Sequence, residues 1–249
     1  MSDPFQFQID GVTVTANPGQ TIMEAADAAG IYIPRLCDVD GLRHQGGCRV
    51  CTVKVGGKAA GRSVSACTQP AEAGLQVENN TGARNRVRRD LVEMLFHEGN
   101  HLCPICEKSG NCELQAMAYR LDMTAPTRFP YLEPCRDLDA SHPDIALDTN
   151  RCISCGRCIR ASQDVDAKGV FGYVGRGIHR RVAVNGADLA HTDAALADHA
   201  MSVCPVGCII RKGEGFATPI GARHFDHGLI GHEIEGRAGE DLARKDGRK

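Results

Sequence analysis

Cysteine spacing constrains this chain more than any other feature. Twelve of its thirteen cysteines fall into three groups with the spacing of metal ligands. The first is Cys37, Cys48, Cys51 and Cys67, a C-x10-C-x2-C-x15-C pattern. The second is Cys103, Cys106 and Cys112, C-x2-C-x5-C, with His101 just upstream. The third is Cys152, Cys155 and Cys158, C-x2-C-x2-C, joined far downstream by Cys204-Pro205 and Cys208. Cys135 stands apart. Thiolates are soft ligands that suit iron–sulfur clusters, zinc and Cu(I). Three such nests in one small chain imply metal centres that organise it, and more than one centre implies that electrons move through it.

The odd cysteine count argues against a secreted disulfide scaffold, and the N-terminus MSDPFQFQIDGVTV shows no basic or apolar leader. No apolar run reaches the roughly 18 residues of a membrane span. The expected compartment is a reducing cytoplasm, where clustered cysteines read as metal ligands. A net charge of −2 points away from nucleic acid. Aromatics are 4% and Trp is absent, so large apolar cores are not expected and metal staples are. Arg84, Arg86, Arg88 and Arg89 form a basic run. It reads first as a solvated helix face, and second as a docking face for an acidic partner.

The chain divides into units. Residues 5–15 alternate around Asp10-Gly11, a hairpin. Residues 21–29 read as a helix with Thr21 as N-cap, Glu24 closing a capping box and Gly30 as the stop. Residues 50–55, 63–67 and 75–78 read as strands. Together they make a small α+β domain over residues 1–80. Residues 84–98 form a helix with Val87, Leu91, Met94 and Leu95 as its apolar stripe. Residues 113–120 form another, giving a compact helical unit over 81–125. Pro126, Pro130, Pro134 and Pro143 mark 126–147 as a linker. A third unit spans 148–234, with strands at 170–174 and 181–184 and a helix at 193–201. A charged tail, 235–249, ends the chain.

Each cysteine group carries its own chemistry. The first surrounds Gly46-Gly47, where backbone N–H groups can point at cluster sulfurs and tune potential. Its pattern is that of a plant-type [2Fe–2S] site with a longer first spacer; a four-cysteine zinc site would want C-x2-C twice. The second lacks a fourth thiolate. His101 is favoured for that place and His97, on its helix, is the alternative. A histidine removes one negative charge and raises the potential. The third begins like a bacterial ferredoxin run, but Ser162 occupies the fourth cysteine position. One [4Fe–4S] site then remains, with Cys152, Cys155, Cys158 and one remote cysteine. Cys204, followed by Pro205, is favoured. Cys208 and Cys135 read as small buried hydrophobes. Gly175-Arg176-Gly177 fails as a dinucleotide fingerprint at Arg180. No catalytic residue is visible.

This order of motifs resembles the start of the large iron–sulfur subunit of respiratory complex I, and the front end of [FeFe]-hydrogenases. The resemblance covers nearly the whole chain. Its segment GNHLCPICEKSGNCELQA, at 99–116, and its length look like the small diaphorase subunit of cytoplasmic NAD-reducing [NiFe]-hydrogenases. The complex I pattern is H-x3-C; here His101-Leu102-Cys103 is H-x-C. The resemblance implies an N-terminal β-grasp [2Fe–2S] ferredoxin-like domain, a histidine- and cysteine-ligated [4Fe–4S] domain and a C-terminal ferredoxin-like [4Fe–4S] domain. It implies a flavin- and NAD-binding diaphorase partner and the small and large hydrogenase subunits. The matching subunit of an NAD-dependent formate dehydrogenase is the second reading, and a zinc-stabilised adaptor the third.

Overall fold

The structure, a computed structural model, describes residues 3–56, 61–133 and 135–236. The expected tail lies outside them but for its first two residues.

The alternating segment at the start folds as β1 (Phe5–Ile9) and β2 (Val12–Ala16), paired antiparallel. Asp10 and Gly11 both take positive φ, 49° and 85°, as the mirror-image two-residue turn requires. Helix α1 (Ile22–Ala28) begins at Thr21 with a complete capping box to Glu24. Strands β3 (Thr52–Val55), β4 (Arg62–Ser65) and β5 (Gln76–Glu78) complete a mixed sheet ordered β2-β1-β5-β3-β4, with β1 and β5 parallel. Phe7, Ile9, Val14, Val53, Val55 and Val77 face Ile22 and Met23 of α1 in a core of their own.

Helix α2 (Gly82–His97) is capped by Thr81, and α3 (Glu113–Arg120) packs beside it. The apolar stripe expected on α2 is displaced. Val87 and Met94 are exposed, whereas Arg88, Val92 and Glu93 are buried. The basic run is therefore not a plain solvated face. Arg88 donates to Val50 O, Thr52 O, Asn79 O, Asn79 Oδ1 and Asn85 Oδ1 at 2.7–3.2 Å. Arg89 donates to Leu121 O, and only Arg86 of the four is fully exposed.

The segment read as a linker contains β6 (Leu138–Asp139) and most of β7 (Ile145–Asp148). These join β10 (Ile209–Arg211) in a sheet ordered β10-β7-β6. Short α4 (Arg157–Arg160) runs into a π-helical turn at 161–165. Strands β8 (Phe171–Val174) and β9 (Arg181–Val184) form a hairpin. The helix expected at 193–201 shrinks to α5 (His199–Ser202), because the Asp166 carboxylate accepts the N–H groups of His199 and Ala200 and fixes its start. A second core joins α2, α3 and all of this part through Val92, Leu114, Met117, Ile145, Ile159 and Phe171. No helix among the described residues is long and apolar enough to cross a membrane.

Candidate metal centres

All thirteen cysteines are free. The first four converge from a loop, the edge of β3 and the end of β4. Cys37 N donates to Cys48 Sγ at 3.4 Å, Cys48 N to Cys37 Sγ at 3.5 Å, and Cys51 Sγ lies 3.5 Å from Cys67 Sγ. Gly46 and Arg49 take positive φ, 66° and 62°, which turns the loop's N–H groups inward. Thiol donation from Cys48 and Cys67 draws Cys37 down to about 2, and donation from Cys67 draws Cys51 down to about 7. Two thiolates thus share protons with two thiols, and a metal centre would replace those protons. Cys37 belongs to the second core and Cys51 and Cys67 to the first, so the group sits on their boundary.

In the second group, Cys112 caps α3 and is buried, while Cys103 and Cys106 are half-buried on a short 3₁₀ turn. Burial pushes Cys112 up to about 12 and raises Cys103. Arg151 Nη1 lies 3.8 Å from Cys106 Sγ and 2.5 Å from Glu107 Oε2. The His101 ring packs edge-on against Phe96, and its buried Nε2 has no hydrogen-bond partner among the described residues. Burial, then the Arg151 charge, pulls its pKa to about 4, so the imidazole is neutral and its lone pair is available. His97 lies beside Glu93, Nε2 to Oε1 at 3.7 Å, and beside Tyr131, and its two buried ring nitrogens are likewise without a hydrogen-bond partner among the described residues.

In the third group, Cys155 and Cys158 are buried around α4. Ser154 and Gly156 take positive φ, and Ser154 N donates to Cys152 Sγ at 3.4 Å. Both Cys204 and Cys208 reach the site. Thiol donation from Cys208 draws Cys204 down to about 6 and also lowers Cys152. Cys204 further acts on Cys155 and Cys158, each raised first by burial. Cys208 is buried as expected, but its thiol faces other thiols rather than an apolar wall. Cys135 differs from expectation: it is exposed, on a stretch without regular structure.

The three groups abut. A Cβ on Gly156 would stand 2.5 Å from Gln45 Oε1 of the first loop, so the first and third loops meet there, and the φ of 67° at Gly156 favours glycine. A Cβ on Gly207 would stand 3.0 Å from Cys106 Sγ, and Glu113 N donates to Pro205 O at 2.8 Å. Among the described residues no group of three or more His, Cys, Asp or Glu side chains is placed to hold a single metal ion. In an iron–sulfur cluster no iron takes more than two of the protein ligands, so the four stand wider apart than around a single ion. The donor chemistry of the groups, soft thiols with inward N–H groups and, at the second, a neutral imidazole, fits a cluster.

Spacing gave no warning of the buried arginines. A charged residue between cysteines usually reads as solvated, and Arg157 and Arg160 are not.

Three family models match the chain in sequence. They are a 2Fe-2S iron-sulfur cluster binding domain over residues 2–82, an NADH-ubiquinone oxidoreductase-G iron-sulfur binding region over 88–126, and the ferredoxin-like domain of NADH-quinone oxidoreductase subunit 3 over 142–210. The chain is thus an α+β iron–sulfur protein with 2Fe-2S and 4Fe-4S binding domains. It is 41% identical to the gamma subunit of the NAD-reducing hydrogenase HoxS of Cupriavidus necator, over 89% of this chain and 93% of that one. It is also 30% identical to the mitochondrial 78 kDa subunit of NADH-ubiquinone oxidoreductase of Candida albicans, over 84% of this chain and 28% of that one. A chain in a crystal structure of an NAD+-reducing [NiFe]-hydrogenase in the H2-reduced state superposes with a TM-score of 0.85 and 46% identity, over 92% of this chain and 98% of that one. The chain belongs to the family of gamma subunits of NAD-reducing hydrogenases, the iron–sulfur electron-transfer subunits of these oxidoreductases.

Proposed function

We propose that this chain carries one [2Fe–2S] and two [4Fe–4S] clusters and relays electrons in the cytoplasm. The relay runs between a [NiFe]-hydrogenase module, with its small and large subunits, and a flavin- and NAD-binding diaphorase subunit. When bound, the clusters supply one-electron carriers. Cys37, Cys48, Cys51 and Cys67 hold the first. His101, Cys103, Cys106 and Cys112 hold the second, and Cys152, Cys155, Cys158 and Cys204 the third. The working units are 1–80, 81–125 and 148–234, the last joined by β6 and β7 from the 126–147 segment.

The observation that carries this reading is the contact between all three cysteine groups in one body, in a chain of this family. Adjacent centres suit a relay, and no side chain in the sites is arranged for substrate chemistry. His101 supports the second assignment through its neutral Nε2 and its place two residues before Cys103. Cys204 is favoured over Cys208 because it acts on Cys152, Cys155 and Cys158 alike. The chain's own residues set the electronics. Inward N–H groups raise the potential of the first and third centres, and the imidazole does so at the second by removing a negative charge.

The test is anaerobic purification of the tagged chain with its partners. The expected complex contains nickel and flavin and reduces NAD+ with hydrogen. A complex that contains molybdenum or tungsten and works only with formate would replace the hydrogenase reading with the formate dehydrogenase one.

A further inference from the structure

Arg157 lies between Cys155 and Cys158, yet its side chain is only 2% exposed. Nη2 donates to Asp38 O at 2.9 Å, and Asp38 follows Cys37. Nη1 and Nη2 grip Glu113 Oε1 and Oε2 at 2.5 and 2.7 Å, and Glu113 follows Cys112. Nη1 also donates to Val203 O at 3.4 Å, and Val203 precedes Cys204. One guanidinium therefore touches a residue adjoining a cysteine in each of the three groups. Its buried Nε–H has no partner among the described residues. Arg160, one turn on, donates to Cys37 O at 2.5 Å, to Arg43 O and to Gly156 O at 3.2 Å, and so ties the first loop to the third a second time. A buried charge is costly unless it is paired and fully hydrogen-bonded. The planar fork of arginine, with five N–H donors, can grip a carboxylate with two of them and still serve carbonyls in other directions.

We propose that the Arg157–Glu113 pair is a positioning and tuning device for the electron relay. It fixes the three cysteine groups against one another, sets a positive charge beside the third group, and sets the balancing negative charge beside the second. The inference rests on the cluster reading above. A fixed positive charge favours the reduced, more negative form of a centre and raises its potential. A fixed negative charge lowers it.

The experiment is an EPR-monitored redox titration of the full chain, purified anaerobically with its metal, with iron content measured alongside. Arg157→Met is expected to lower the midpoint of the third centre by about tenfold in the ratio of reduced to oxidised form, about 59 mV for one electron. Glu113→Gln is expected to raise the second. Arg157→Lys keeps the charge and should restore the third midpoint to within about threefold of wild type. Unmoved midpoints in Arg157→Met, or an equal shift in Arg157→Lys, overturn the inference. If Arg157→Met loses third-group iron, Glu113→Gln decides: a raised second midpoint supports the inference and an unmoved one overturns it. Wild-type chain without iron overturns the cluster reading as well. Wild-type iron with unmoved midpoints overturns this inference alone.

Discussion

The sheet of residues 5–78 and the part beyond residue 80 satisfy their backbones by different means. In the first, five strands pair along four ladders and the apolar side chains alternate into one core. In the second, the regular elements beyond α2 and α3 are short: α4 and α5 have four residues each and β6 has two. Loops around cysteines leave carbonyls that no ladder can pair. Buried guanidiniums of the second part take them, and they also take carbonyls at residues 37–79 of the first. Arg88 serves Val50, Thr52 and Asn79; Arg157 serves Asp38 and Val203; Arg160 serves Cys37 and Gly156. A sheet can stand on its apolar face, whereas loops of this kind depend on buried charges and on whatever the thiols hold.

Metal removal is the largest way to break that contrast. Anaerobic chelation is expected to strip hydrogen-exchange protection from residues 99–112 and 150–209, while β1, β2 and α1 keep theirs. Equal loss in both regions, read by mass spectrometry, would show that the sheet depends on metal as much as the loops do.

Next comes Arg88, which ties α2 to the peptides on either side of Cys51. Arg88→Ala should cost about 1–3 kcal/mol in chemical denaturation, because it strands buried carbonyl and amide acceptors. Arg86→Ala, two residues away and exposed, should stay within about 0.5 kcal/mol. Equal effects would return the basic run to a plain solvated face.

The smallest effect concerns Glu93, which accepts N–H groups from Thr127 at 2.8 Å, Phe129 at 3.1 Å and Arg128. Burial raises its pKa, but the three donors more than offset this and hold it below the ordinary value. A depressed carboxylate stabilises above its unfolded pKa of about 4.3, and that stability fades as pH falls through the lower folded value. Glu93→Gln should lose about 1–3 kcal/mol near neutral pH. Proteolysis at 126–133 should then turn nearly pH-independent, whereas wild type opens only in acid. A variant with wild-type acid sensitivity would remove Glu93 from that role.

The same contrast explains what was legible in the sequence. Period-two alternation, the Asp10-Gly11 turn and the Thr21 box are local signals, and the first domain follows them closely. Cysteine spacing picks out the groups that the fold brings together. The sheet of β6, β7 and β10 was hidden because its strands are short, proline-flanked and far apart in the chain. The start of α5 depends on Asp166, more than thirty residues earlier, and helix propensity at 193–197 could not reveal it. Arg88 sits four residues before the buried Val92, on the core face, but charge outweighed register in reading it. Cys208 carried no spacing signal that would place its thiol against Cys152 and Cys204.

The central claim, three thiolate-held clusters in one body, is tested most directly by iron and acid-labile sulfide analysis of anaerobically purified chain. One [2Fe–2S] and two [4Fe–4S] clusters predict about ten irons per chain, with matching sulfide. A colourless protein with no iron and stoichiometric zinc would contradict it.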